Sequence, residues 1–486
     1  MPVKSNLLVA AIALLSILLP LHAQQSPPTP QHDMHNHMNM QPIEPVYPRL
    51  GRAQEQIREK LFTLDDAQRL ASASNPTLRQ AVSEIRAAKA RMQQAALYPN
   101  PSVGYTGDEI RGGSNSGGKQ GFFLEQPIVT GGKLGKARNV FEQETHIAEL
   151  EAEEQKTRVE TSVKIAFYRV LAAQELLELR RDLSHIGELH LQSQNELSRT
   201  GQTDETEKLE TEIAVQRLQL VALEQENMLR EQWRKLAAII GQPDLPQSIV
   251  AGDLEHGWPE FNEQQILDTI ATQSPATRIA DASSARAAAD ITRAKSQVIP
   301  DINLLGGLEY NNEPFGSTPK ATGWEGLAEL SVQIPIFNRN QGNIAESRSE
   351  LDRAQLEKQR IQLLLRERAA SLLDQYTTAK VVATEYRDEI LPRAQKANTL
   401  MTAKYGLMQA TYPSILETRR KNFELETEYV QALATVWTTS LALQGFLLTD
   451  GLEAPTRSSN LDHAMPETNT PPPTRMVLPT QHMPLP

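Results

Sequence analysis

The sequence predicts a mainly α-helical chain that carries a small transmembrane β part, and three observations predict it. Beyond its first turn the stretch 134–200 holds no proline and only Gly187 as a helix breaker, and 341–401 repeats this with Pro392 as the one interruption. Short segments elsewhere alternate apolar and polar residues with period two, the signature of strands with one wet and one dry face. The chain also says the same thing twice, at an offset near 200 residues. Asn75-Pro76, Ala81, Ala88, Ala95 and Tyr98-Pro99 are echoed by Ser274-Pro275, Ala280, Ala287, Ala294 and Ile299-Pro300. Gln126-Pro127-Ile128 with Gly131-Gly132-Lys133 returns as Ile334-Pro335-Ile336 with Asn340-Gln341-Gly342, and Thr200-Gly201 with Leu209-Glu210 returns as Tyr405-Gly406 with Leu416-Glu417.

Composition narrows the function classes. The 486 residues contain no cysteine, which removes disulfides, thiolate-ligated zinc or iron–sulfur sites and cysteine nucleophiles. Lys+Arg number 49 against Asp+Glu 60, a net charge of -11, so the excess of cations that neutralises nucleic-acid phosphates is missing. An aromatic content of 5% fits long helices with few large cores.

Residues 1–23 read as a secretory signal, with Lys4 before an apolar run over 7–21 and Leu21-His22-Ala23 as the cleavage site. An uncleaved anchor is the alternative, but the run is short for a spanning helix and holds Pro20. No cysteine follows it, so a lipidated N-terminus is excluded. Residues 24–60 are expected to be a disordered His/Met-rich tail and lead-in, and 451–486 a second disordered tail rich in Pro, Thr and Met, because neither shows apolar periodicity. Between them lie a first repeat, 61–241, a linker, 242–260, and a second repeat, 261–450.

Each repeat runs helix, two strands, very long helix, returning helix. The helix over 134–200 would be about 100 Å long at about 1.5 Å per residue. Leu176, Leu179, Leu183 and Ile186 give it a 3-4-3 seam, the pattern of a coiled coil, and the alanines at heptad spacing let helices approach closely. The β-hairpins occupy 101–128 and 301–336. Within 323–336, Trp324, Ala328, Leu330, Val332, Ile334 and Ile336 share one face, Glu325, Glu329, Ser331 and Gln333 the other, and Leu327 breaks the rule. Ile302, Leu304, Leu308 and Tyr310 alternate with Asp301, Asn303 and Glu309, and Val103, Tyr105, Phe122 and Leu124 give a weaker copy. Such walls suit a membrane barrel, with a half-buried soluble sheet as the alternative. Four strands cannot close a barrel, so the chain must oligomerise; two copies give eight strands, and three give twelve with an aqueous lumen.

This order of elements, from Asn75-Pro76 through Pro99 to the repeat near 200 residues, resembles the outer-membrane efflux proteins of the TolC family over essentially all of 61–450. The resemblance implies a homotrimer with a 12-stranded barrel in outer-membrane lipid, continued by a periplasmic α-barrel. It implies a periplasmic adaptor protein and an inner-membrane pump as partners. It places adaptor-docking tips at Gly201, Gln202 and Thr203 and at Tyr405, Gly406, Leu407 and Met408. Asp204, Glu205 and Glu207 are its candidate gate acids, although the second tip has no acid between Gln395 and Ser414.

Three histidines and three methionines, His32, Met34, His35, His37, Met38 and Met40, fall within nine residues. Imidazole and thioether together suit Cu(I) and Ag(I), then Cu(II) and Zn(II), though a merely polar tail needs no metal. His463, Met465, Met476, His482 and Met483 repeat the flavour, and the whole looks like the heavy-metal branch of the family, whose pumps are of the resistance-nodulation-division class. The stretch 113–120 fits most of a phosphate loop but ends in Gln120 where a hydroxyl is needed and leads into a strand pattern, so an exposed hairpin loop is expected. No nucleotide site, HExxH or GxSxG is present, and neither enzyme activity nor a cofactor is expected. The reading is a passive exit duct for heavy-metal cations; multidrug efflux, type I protein secretion and a soluble periplasmic metal-sequestering coiled coil are the alternatives.

Overall fold

The computed structural model describes residues 61–110, 118–199, 204–314 and 320–455. All belong to one of the chain's two units, Leu50–Pro486; the other, Met1–Arg49, lies outside the described residues, and with it the signal and the His32–Met40 tract. In the first repeat the elements are α1 (Leu64–Ser74), α2 (Pro76–Ala95), β1 (Ser102–Asp108), β2 (Lys119–Ile128), α3 (Lys133–Arg199) and α4 (Glu205–Ile240). In the second they are α5 (Glu263–Gln273), α6 (Pro275–Ser296), β3 (Ile302–Pro314), β4 (Ala321–Val332), α7 (Gln341–Glu385), a π turn (Tyr386–Ile390), α8 (Leu391–Gly406) and α9 (Tyr412–Gln444).

The duplicated prolines explain how each repeat begins. Pro76 and Pro275 sit in the first turn of α2 and α6, where a missing N–H costs nothing. The residue before each caps the helix: Thr77 N–H donates to the Asn75 side chain at 2.8 Å, and Thr277 N–H to the Ser274 hydroxyl at 3.2 Å. Ala81 and Ala88 on α2 and Ala280, Ala287 and Ala294 on α6 are buried, as their heptad spacing predicts, and both helices pack on α3.

α3 is the central beam of 67 residues, packed by α1, α2, α4, α6 and α9. Leu179 and Leu183 of its seam are buried, with Leu176 and Ile186 partly so. The core gathers Phe167, Val170 and Leu171 of α3 with Trp233, Leu236 and Ile240 of α4 and Leu433, Val436 and Trp437 of α9. Tyr168 stacks on Trp437 with ring centres 4.1 Å apart.

Four boundaries differ from expectation, three of them outside the sheet. The second long helix continues past 401 to Gly406, and the break near Pro392 takes the form of the π turn that runs directly into α8. The segment 242–260 is a packed strap rather than a loose linker. Phe62 pairs with it on both sides (Phe62 N–H to the Ile249 carbonyl, 2.9 Å; Ala251 N–H to the Phe62 carbonyl, 3.0 Å), and Trp258 and Trp437 donate to the Leu254 carbonyl at 2.8 and 2.9 Å. Residues 451–455 are also held, because the Gly451 and Glu453 carbonyls accept from Asn75 and Gln155 at 3.4 and 3.1 Å.

The four strands form one antiparallel sheet in the order β1-β2-β3-β4. β4 stops at Val332, short of the expected 336, where Pro335 has no N–H for a ladder and the Ile336 N–H turns back to the Ile334 carbonyl.

Candidate membrane wall and tips

Register decides what the sheet can do. Val103 pairs with Leu124 and Tyr105 with Phe122; Phe122 pairs with Leu308, Leu304 with Leu330, and Tyr310 with Trp324. Paired residues point to the same side, so these apolar side chains merge into one continuous face. That face is bare: Val103 is 76% exposed, Trp324 71% and Leu330 67%. A sheet that kept this surface in water would forfeit the largest favourable contribution to folding, whereas a lipid exterior accepts it.

The opposite face is polar and internally tied. Lys119 Nζ lies 3.1 Å from Glu325, which also accepts from the Asn311 amide at 2.9 Å, and Asn303 donates to Glu125. Leu327 falls on this face opposite Gly307, as do Leu305 and Phe123, so the wet face is less polar than alternation alone suggests. Tyr105 meets Phe122 edge-on at 5.7 Å and Tyr310 meets Trp324 at 5.5 Å, placing an aromatic belt toward the hairpin-loop end. Tyr98 and Phe337, both exposed, mark the end where the helices begin. Strands of 7, 10, 13 and 12 residues bracket the roughly 9–11 that a tilted strand needs to cross a bilayer. Among the described residues, β1 and β4 each keep one edge without a partner in the sheet.

Lys119 and Gln120, the end of the phosphate-loop look-alike, open strand β2; residues 111–117 lie outside the described residues. So do Gly201, Gln202 and Thr203 of the first tip. Asp204 occupies the cap position of α4 without a side-chain cap bond, and Glu205 and Glu207 stand in its first turn, all three exposed. At the second tip Tyr405 and Gly406 end α8. Leu407 N–H donates to the Ala403 carbonyl at 3.1 Å and Gln409 N–H to the Lys404 carbonyl at 2.9 Å, with Met408 at φ +57 between them. Leu407 is 69% and Met408 96% exposed, so this turn offers an apolar point.

A feature absent from the sequence reading lies on the α3–α9 seam. Glu175, Glu178 and Asp182 follow one another at helical spacing on α3, near Glu426 of α9. Burial pushes the Glu175 and Glu426 carboxyls up to about 7, reinforced at Glu175 by Glu178, Glu255 and Asp253, and at Glu426 by Asp182. Their 3-4 spacing was the available signal. His190, buried on α3, is pushed down to about 4 by desolvation. Among the described residues no group of three His, Asp or Glu is arranged to hold a metal ion, and no helix is long and apolar enough to cross a membrane.

Comparison with known proteins agrees with this geometry. A family model described as outer membrane efflux protein matches residues 68–242. The chain is 22% identical over 403 residues to the cobalt-zinc-cadmium resistance protein CzcC of Cupriavidus metallidurans, covering 83% of this chain and 92% of that one. It is 22% identical over 295 residues to the nickel-cobalt-cadmium resistance protein NccC of Alcaligenes xylosoxydans, covering 58% of this chain and 64% of that one. Its fold matches a crystal structure of CusC with a TM-score of 0.64 at 15% identity, over 79% of this chain and 91% of that one. It also matches the outer membrane protein VceC of Vibrio cholerae with a TM-score of 0.61 at 16% identity, over 80% and 97%.

Proposed function

We propose that this chain, which matches the outer membrane efflux protein family over residues 68–242, is a member of that family and that three copies form a passive exit duct for heavy-metal cations. The observation that carries the proposal is the sheet with one bare apolar face, one polar face and two unpartnered edges. Joined edge to edge, three such sheets make twelve strands around water, and the long helices continue the tube into the periplasm. A resistance-nodulation-division pump in the inner membrane supplies the energy and a periplasmic adaptor makes the connection. The duct itself performs no chemistry and carries no cofactor.

The substrate class rests on likeness to two proteins named for resistance to cobalt, zinc or nickel, and cadmium. The imidazoles and thioethers of His32, Met34, His35, His37, Met38 and Met40 add a soft-cation ligand set of their own. Gly201, Gln202 and Thr203 with Tyr405, Gly406, Leu407 and Met408 are the adaptor-docking tips in this reading. Asp204, Glu205 and Glu207 place negative charge where cations pass.

Deleting the gene and measuring growth against copper, silver, zinc, cobalt, cadmium and a set of hydrophobic drugs tests the substrate. Hypersensitivity confined to metals is the expected result. Sensitivity to drugs alone replaces the heavy-metal duct with a multidrug one, and loss of an exported protein replaces it with a secretion duct.

A further inference from the structure

The bare apolar side of the sheet continues past its last strand residue. Ile334 and Ile336 keep to the even positions of β4 and are exposed, and Phe337 beside them is 90% exposed. Leu97, Tyr98 and Ile299 are also exposed where strands and helices meet. These residues close the apolar band at its helix end, the level at which a bilayer passes from hydrocarbon to headgroup.

Three helix ends converge directly beyond that band, around the last turn of α6. The Asn340 amide, just before α7, donates to the Ala294 carbonyl at 2.8 Å. Gly131, just before α3, lies so close to Ile299 that a Cβ on it would come within 2.8 Å of that side chain. Lys133 and Lys136 of α3, Arg293 and Lys295 of α6, and Arg339 before α7 all stand at this level. Two of these cations are neutralised locally, Lys133 by Asp301 at 2.9 Å and Arg293 by Asp290 at 2.8 Å. Among the described residues Lys136, Lys295 and Arg339 have no carboxylate within ion-pair distance; Lys136 reaches the Gly131 carbonyl at 3.0 Å, and Lys295 and Arg339 are exposed.

Local helix stability does not explain all three. Lys295 complements the C-terminal end of α6, but Lys136 and Arg339 stand at helix starts, where the dipole disfavours a cation, and neither α3 nor α7 has an acid in its first turn to offset it. The other end of the sheet has the opposite sign. There Asp108, Glu109, Glu309, Glu313 and Glu325 face Lys119 and Lys320 among the described residues. The unpaired cations thus mark one side of the membrane, the side where the helices begin.

We propose that Lys136, Lys295 and Arg339 form a binding surface for the phosphate of an anionic phospholipid in the periplasmic leaflet, whose acyl chains lie against Ile334, Ile336 and Phe337. The inference rests on the membrane-wall reading and goes beyond it by giving the wall a lipid preference. Long basic side chains at the rim of an apolar band keep their stems along it and their charges at headgroup level.

The test uses the full-length protein in neutral detergent and two probes, phosphatidylglycerol and phosphatidylcholine, with the lipids retained per chain counted by native mass spectrometry. The parent should retain phosphatidylglycerol in preference to phosphatidylcholine. Lys295→Gln should weaken that retention about five-fold, the share of one cation at an anionic surface. The triple variant Lys136→Gln, Lys295→Gln, Arg339→Gln should abolish the preference. A control triple, Lys235→Gln, Lys396→Gln, Lys404→Gln, removes the same charge from exposed positions on α4 and α8 and should keep the parental preference. A site triple that still prefers phosphatidylglycerol, a control triple that loses the preference equally, or displacement of the lipid by inorganic phosphate alone overturns the proposal. A parent that retains neither lipid contradicts the lipid-facing wall itself, so the two failures are told apart.

Discussion

Tyr310 on β3 and Trp324 on β4 face one another across the sheet, their rings edge-on at 5.5 Å, with both side chains on the bare apolar side. Large amphipathic rings at the end of a dry face are what a bilayer interface accepts, and the rest of that face must then meet hydrocarbon.

A charge placed on the two faces should therefore have opposite consequences. Leu330→Arg puts a guanidinium on the lipid side, at a cost of about 2–4 kcal/mol near the bilayer centre. Glu329→Arg, one residue away, points into water. The first variant should disappear from the outer-membrane fraction while the second assembles at parental level, as read by heat-modifiable mobility on gels.

Two glycines of the same sheet separate close packing from open space. A Cβ on Gly121 would fall 2.3 Å from the Leu308 carbonyl oxygen and 2.6 Å from the Glu309 Cα, whereas one on Gly326 meets nothing within 4 Å. Gly121→Ala should destabilise the β2–β3 pairing by about 1–3 kcal/mol, and Gly326→Ala should leave thermal stability unchanged.

Buried titratable groups make stability depend on pH in two directions. With Glu175 and Glu426 at about 7, the folded chain binds more protons than the unfolded one between the ordinary carboxyl value and 7. Their contribution is present at low pH and is lost as pH rises through 7. Glu175→Gln or Glu426→Gln should thus stabilise at pH 8 by roughly 2 kcal/mol, less than full linkage because both side chains keep some water, and change little at pH 4.5. His190, held down to about 4, acts oppositely: stability falls as pH drops from about 6.5 toward 4. Melting curves from pH 4 to 8 check both signs, and identical curves for parent and Gln variants would show carboxyls that ionise freely.

Deletion of 31–40 should reduce the number of Cu(I) ions bound in isothermal titration without affecting assembly. Unchanged titration would leave the His/Met tract a polar tail.

Periodic patterns carried most of the fold. The alanine heptads, the capped prolines and the even-numbered apolar positions of β4 all do in space what their spacing says, because each is a local rule that packing reinforces. What escaped was set by distant partners. The strap 242–260 reads as a linker until Phe62, Trp233 and Trp437 close on it, and Pro392 announces a break without saying that the helix would answer with a π turn. Nothing in the sequence marks Glu175 and Glu426 as buried, since only the crossing of α3 and α9 desolvates them. The tips are expected from the family resemblance alone, and Met408 at φ +57 shows a turn that the sequence did not spell out.

The most direct measurement is native mass spectrometry of the detergent-extracted protein. Closure of three four-stranded sheets into one barrel predicts a single species of three chains. A monomer or a dimer would leave the edges of β1 and β4 unjoined or the lumen filled, and would contradict the duct.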